Sequence, residues 1–525
     1  MTASQPEIPP LIATLLEADV YPHPTRDIRL VETHISWVIL TGDYAYKLKK
    51  PVSLGFLDFS TLQQRHYYCE EELRLNRRLA PDIYLDVVGI GGTAKHPVLG
   101  SEHDVIEYAV RMKQFSPDEQ LDVLLERGKL EPGYLDAVAR LVADFHRQVA
   151  VAGPGTDYGE PGPVCEAVLE NDQQIRAHLQ QEAPAAQLDR LAERVAADCD
   201  RLQTVFRQRK ADGFVRECHG DMHLRNLAWH DGRPLVFDCI EFNPQLRWID
   251  VISEIAFLVM DLEDRGRPQL AWRFLNTWLE HSGDYAGTRV LGFYLVYRAL
   301  VRAKVEAIRA TQAGIGATEQ ADVIQAFQGY LDLATACTAT AAPMLMITRG
   351  ASASGKSTLT QPLLETLGAI RIRSDVERKR LFDVAATTAV PAGVDEGIYS
   401  AAASRQTYNR LAELAGEVLA NGYPVIVDAV CQREEQVALF RSLASDLQVA
   451  FVILEFTAPP DVLRQRIEQR EQGVSDADRA VLEHQLSTWQ PLAGQDQAHC
   501  IEVDTTAAPD IGALASQIRA LVDRV

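Results

Sequence analysis

The stretch CHGDMHLRN, residues 218–226, places Asp221 five positions ahead of Asn226, and twelve residues further on Asp238 closes the apolar run PLVFD. An H-G-D turn is common on protein surfaces, but two carboxylates and an amide in this order have the chemistry of phosphoryl transfer. Asp221 accepts the proton of an acceptor hydroxyl, while Asn226 and Asp238 hold Mg²⁺ against the phosphates of ATP. His219 and His223 read as residues that fix the loop.

The Asp-to-Asn spacing is that of the protein-kinase catalytic loop H-R-D-x-x-x-x-N. Upstream, YAYKLKK (44–50) alternates as a strand, so Ala45 and Lys47 share a face. Lys47 is the candidate for the α/β-phosphates, oriented by an acid of the helical stretch 60–80. Glu72 is the preferred partner and Glu71 the alternative. VRMKQF (110–115) is the expected hinge for the adenine.

A second phosphate site is written at 350–357. GASASGKS matches G-x-x-x-x-G-K-[ST] between the apolar strand MLMIT and a helical stretch, which is the context that motif requires. Gly350, Ser354 and Gly355 let backbone N–H groups curl round phosphate oxygens at a helix N-terminus. Lys356 is expected on the β/γ-phosphates, Ser357 on Mg²⁺, and Thr358 beside it.

Asp428 ends the strand VIVDAV, where it holds the metal shell or simply makes a strand-end turn. Asp375 ends RIRSD, as a base for a substrate hydroxyl or as the N-cap of the next helix. Arg464, Arg466 and Arg470 precede a polar loop; Arg470, nearest the loop, is the best candidate for a phosphoryl clamp. ERKR (377–380) reads as a solvated face.

These residues need two scaffolds. A chain of 525 residues exceeds one hydrophobic core. ISWVILT (35–41), a Gly42-Asp43 turn, YAYKLKK and 104–115 read as strands. STLQQRHYYCEEELRLNRRLA (60–80) reads as a helix with a Ser cap, and 117–210 and 246–337 are mainly helical. After the small-residue stretch 338–343 the pattern alternates β and α, as in a parallel sheet covered by helices. The expected domains are 1–337, with lobes at about 1–113 and 114–337, and 343–525.

A net charge of −21 disfavours a nucleic-acid surface. No apolar run approaches the roughly 20 residues of a membrane span. Eight scattered cysteines with no C-x-x-C pair, and an N-terminus unlike a signal peptide, point to reduced thiols in a cytoplasm. The expected partner is a small hydroxylated molecule; the sequence assigns no oligomeric state.

Residues 30–300 resemble the aminoglycoside phosphotransferase family, with its H-G-D-x-H-x-x-N loop and following strand-end Asp, and choline and homoserine kinases of the same superfamily. Residues 343–525 resemble small P-loop kinases of the zeta-toxin, gluconate-kinase and adenylate-kinase type, through GASASGKST, SD at 374–375, DA at 428–429 and the arginines ahead of SDA. The whole chain looks like a bifunctional fusion of the two.

That resemblance implies a bilobal α+β protein-kinase-like domain followed by an α/β P-loop domain, both using ATP and Mg²⁺. The first would phosphorylate a sugar or aminoglycoside-like compound, and the second would be a second kinase or an ATPase. Two departures stand out: no G-x-G-x-x-G loop, T-G-D at 41–43 being the one turn there, and Asp250 and Glu254 where relatives carry structural acids. The alternative is a regulatory protein whose ATP-binding modules signal to a protein partner.

Overall fold

Alternation in the first hundred residues does build a sheet. The computed structural model describes residues 8–53, 57–178, 184–311, 315–338, 342–384, 397–469 and 478–522. It divides into two units, 1–261 with 293–334, and 262–292 with 335–525.

In the first unit six antiparallel strands lie in the order Arg29–Glu32, Ser36–Leu40, Tyr44–Lys49, Glu107–Lys113, Tyr84–Thr93 and His96–Leu99. Tyr46 and Leu48 point to one face, packing with Ile39, Ile90 and Ile12. The period of two turns Lys47 and Lys49 to the other face. There the helix Leu62–Asn76 packs, with Cys69 and Leu73 against Tyr84 and Val110.

That helix starts one residue later than a Ser cap implies. Thr61 Oγ1 accepts from Gln64 N at 3.2 Å, and the Gln64 side chain accepts from Thr61 N at 3.2 Å. This capping box satisfies two orphan amides and contributes about 1 kcal/mol.

Beyond the sheet come helices Pro132–Gln148, Pro161–His178 and Ala185–Ala211, then the loop at 218–226. The hairpin Leu227–His230/Arg233–Val236 turns on Asp231 and Gly232, both at positive φ, as a type I′ turn demands. It delivers Asp238 just past its second strand. Helix Val251–Asp264 follows. Cys165 and Cys199 form a disulfide joining two of these helices, so the expectation that every thiol is free does not hold.

The second unit is a five-stranded parallel sheet in the order Ile370–Arg373, Val425–Asp428, Met344–Arg349, Ala450–Thr457, Cys500–Asp504. Helices Lys356–Leu367 and Ile511–Val522 cover one face through Leu363, Leu364, Leu514 and Ile518. By its contacts helix Pro268–Ser282 also falls in this unit. Its Asn276 amide donates to Ala369 O at 2.9 Å and accepts from Arg371 N at 2.7 Å. That side chain satisfies the exposed backbone of an edge strand, where unpaired groups otherwise invite aggregation.

Among the described residues no helix is long and apolar enough to cross a membrane.

Candidate active sites

In the first unit, Lys47 Nζ lies 2.7 Å from Glu72 and 2.5 Å from Asp238. Glu72, not Glu71, faces the lysine; Glu71 pairs with Arg74 at 2.9 Å. A second lysine, outside the residues expected from the sequence, joins this pair. Lys49, on the same face, is fully buried, 2.8 Å from Glu72, and pairs with buried Glu241 as well.

Burial opposes charge on Lys47, yet Asp238 and Glu72 hold its pKa well above the ordinary value. Burial likewise opposes ionisation of Glu72, but Lys47 and Lys49 outweigh it and take its pKa from 4.5 to about 2. Burial pushes Glu241 up. A carboxylate held low in the fold contributes stability above its unfolded pKa and loses it as pH falls toward the folded one. Stability is therefore expected to fall between about pH 5 and 2, and to fall less in Glu72→Gln. Chemical unfolding at each pH measures this.

The loop at 218–226 is fastened from below. Glu254 Oε2 accepts from His219 N and Gly220 N, each at 2.7 Å, while Oε1 lies 3.0 Å from His146 Nε2. Asp261 accepts from Leu224 N at 2.9 Å. Gly220 sits at φ +91°, and a Cβ there would lie 2.7 Å from Leu246 O, so the glycine of H-G-D is required. Asp250 instead pairs with Arg209 at 2.6 Å.

Glu254→Ala strands two buried amides and a histidine. It is expected to remove about 3–5 kcal/mol of stability, read from denaturant midpoints.

His219 Nδ1 accepts from Asp221 N at 3.3 Å, leaving Nε2–H to donate to Phe237 O at 2.8 Å. Burial lowers its pKa, so it stays neutral and sets the loop. Burial would raise the Asp221 pKa, but His223 first, then His219 and Arg302, hold it well below the carboxylate range.

Asn226 Nδ2 donates to Asp221 O at 2.9 Å and to Oδ2 at 3.1 Å. That orientation leaves Asn226 Oδ1 with no donor among the described residues, free for a cation. Asp238, at φ +64°, has a half-exposed carboxylate. An amide oxygen and a carboxylate are hard ligands that fit Mg²⁺.

In the second unit the phosphate loop leaves the central strand. Gly350 is at φ +154°, where a Cβ would meet Phe456 O at 2.7 Å, and Gly355 is at φ +85°. Lys356 opens its helix with Nζ folded back on Gly350 O and Ala351 O, at 2.8 and 2.9 Å. Ser354 is buried, its hydroxyl without a hydrogen-bond partner among the described residues.

A cavity of about 890 Å³ opens here, lined by Lys356, Ser357, Thr358, Asp375 and Asp428 among others. Asp428 is buried, its Oδ2 accepting no hydrogen bond among the described residues and lying 3.9 Å from Arg373 Nε, so with Ser357 it suits a hard divalent cation. Asp375 lies in the first turn of helix Ser374–Leu381, whose N-cap is Arg373, so the N-cap reading of Asp375 fails.

Among the arginines, Arg466 reaches the loop, bonding Ala353 O at 3.4 Å and Thr505 Oγ1 at 3.0 Å. Arg464 turns away to Glu483 at 2.7 Å. Arg470 lies outside the described residues. ERKR is not a solvated face: Glu377, Arg378 and Lys379 are buried.

Comparison with known proteins finds two family matches, the first of which takes in helix Pro268–Ser282. Residues 67–291 match the phosphotransferase enzyme family, and 345–492 match an AAA domain model. The chain is 34% identical over 462 residues to an uncharacterized protein of Mycobacterium tuberculosis, covering 87% of this chain and 89% of that one, and equally to one of Mycobacterium bovis. The chain belongs to their family.

It is an ATP-dependent phosphotransferase with two kinase-like modules. Among solved structures it resembles a Mesorhizobium loti choline/ethanolamine kinase family protein, at 12% identity and TM-score 0.38, covering 62% of this chain and 98% of that one. It also resembles a Sinorhizobium meliloti gluconokinase, at 20% identity and TM-score 0.25, covering 35% and 93%.

Proposed function

We propose that the first module transfers the γ-phosphoryl group of ATP to a hydroxyl of a small molecule. The observation that carries this is Lys47 fixed between Glu72 and Asp238 while Asn226 is held by Asp221. Lys47 meets the nucleotide phosphates, and Glu72, anchored by Lys49, keeps it from swinging away. Asp221 hydrogen-bonds the acceptor hydroxyl.

With its pKa held low, Asp221 is a weak base at neutral pH. Its main work is aiming the oxygen, and the proton is taken late, as a loose phosphoryl-transfer transition state allows. Asn226 Oδ1 and Asp238 would hold Mg²⁺, which supplies charge neutralisation at the phosphates.

The second module is read as a further small-molecule kinase or ATPase. Gly350, Ser354, Gly355 and Thr358 shape the phosphate cradle, and Lys356 neutralises charge there. Ser357 and Asp428 would hold the metal, Asp375 would orient an acceptor hydroxyl, and Arg466 braces the loop.

The test is ³²P transfer from ATP across a panel of hydroxylated metabolites, using wild type, Asp221→Ala and Lys356→Ala. Each substitution should abolish transfer to a different set of acceptors. Transfer surviving Asp221→Ala but lost entirely with Lys356→Ala would overturn the first assignment. Tight ATP binding with no transfer to any acceptor would favour a nucleotide-dependent regulator.

A further inference from the structure

Asp238 sits at φ +64°, in the left-handed region that few non-glycine residues enter and that persists where the surroundings over-determine it. Its carboxylate is held by Lys47 at 2.5 Å, a hold given up once the lysine turns to nucleotide phosphates. The backbone is held separately.

Asp238 N donates to Tyr84 Oη at 3.1 Å, and Cys239 N donates to Asn76 Oδ1 at 2.9 Å. Asn76 in turn donates from Nδ2 to Glu72 O at 2.9 Å, which fixes the way its amide points. Both side chains are buried, Tyr84 being 2% and Asn76 1% exposed. Neither is an acid, a base or a cation, so their contribution is geometric.

Tyr84 reaches Asp238 through an irregularity in the sheet. Strand Tyr84–Thr93 pairs Asp86 with Arg111 but Tyr84 with Met112, so Leu85 is the extra residue of a bulge. Arg111 stands opposite Tyr46, and Met112 opposite Ala45, on the other face. Strict alternation would put Tyr84 on the face of Asp86 and Tyr46. The bulge turns it instead to the face of Lys47, against Val110 and Cys69. Asn76 comes from helix Leu62–Asn76, one turn beyond Glu72. The sheet and the helix thus each supply one clasp on consecutive backbone amides.

We propose that Tyr84 and Asn76 are positioning residues for the metal of the first module. They hold Asp238 and Cys239 in the left-handed turn that aims the Asp238 carboxylate at the nucleotide-bound cation, and so set the affinity for that cation. This rests on reading Asp238 as a ligand of the cation. Loss of either clasp leaves the carboxylate present but lets the turn relax toward ordinary backbone, which weakens the ligand without removing it.

The test uses the full chain carrying Lys356→Ala, so that the first module alone takes nucleotide. The affinity of a non-hydrolysable ATP analogue is measured by calorimetry twice, with saturating Mn²⁺ as the probe metal and with a chelator in its place. Tyr84→Phe, which removes only the hydroxyl, and Asn76→Ala should each weaken binding of the Mn²⁺-loaded analogue about 5–20-fold. Both should leave metal-free binding unchanged, a split that a loss of fold would not produce.

Unchanged affinity for the Mn²⁺-loaded analogue in both variants would overturn the proposal. So would an equal loss with and without metal, which would assign the two side chains to the nucleotide pocket itself. Asp238→Ala separates this inference from the reading beneath it. If that variant loses the metal-dependent affinity while Tyr84→Phe and Asn76→Ala keep it, only the positioning role falls. If Asp238→Ala also keeps it, Asp238 is not a ligand and both fall.

Discussion

Asp221→Ala should lower turnover by the first module about 10²–10⁴-fold while leaving its ATP affinity within a factor of about two. The side chain meets His223 and the Asn226 Nδ2, and Asn226 keeps its second bond, to the Asp221 backbone oxygen, so its metal-facing Oδ1 stays aimed. Loss of the carboxylate removes the acceptor's orienting hydrogen bond and its proton sink together. Asp221→Asn keeps a similar shape and hydrogen-bonding capacity but not the charge, and should be nearly as damaged.

The measurement is kcat and KM for an acceptor in a Lys356→Ala background, with ATP affinity followed separately. A rise in ATP KM with kcat intact would mean that Asp221 serves the metal rather than the acceptor. The fold should tolerate the change, because the loop is anchored by Glu254 and Asp261 and not by Asp221.

Lys356→Ala should abolish transfer by the second module, with a loss of about 10²–10³-fold or more. Its ammonium now rests on Gly350 O and Ala351 O, neutral acceptors that phosphate oxygens outcompete. Truncation gives up those two bonds to neutral backbone carbonyls. Lys47→Ala makes the contrast. It leaves Glu72 with Lys49 alone and Asp238 without its lysine, and should cost about 3–5 kcal/mol besides activity. Nucleotide binding by calorimetry and unfolding midpoints for both variants separate the two effects. A Lys356→Ala variant retaining full transfer by the second module would remove the phosphate loop from the chemistry.

What could be read beforehand followed the backbone's own periods. Alternation put Lys47 on a defined face, and the strand–glycine–lysine–helix order located Lys356. The same alternation pointed to Lys49, two residues on, but its meaning depended on Glu241, which is 192 positions away and follows no local period. Glu254 reads as a structural acid, yet its grip on His219 and Gly220 arises only when helix Val251–Asp264 passes beneath the loop.

Helix Pro268–Ser282 sits in a long helical tract with no composition break, so its attachment to the second sheet through Asn276 was invisible. ERKR looked solvated because charge normally is. Its burial depends on packing against the helix Ala401–Ala420, and a short sequence window does not record that. The Cys165–Cys199 bond likewise depends on two helices meeting.

The central claim is that one chain carries two independent nucleotide sites. The most direct measurement is the stoichiometry of a non-hydrolysable ATP analogue with Mg²⁺, by equilibrium titration of wild type, Lys47→Ala and Lys356→Ala. Two independent sites give two equivalents in the wild type and one in each variant. A single equivalent in the wild type, or the loss of both with either substitution, would contradict it.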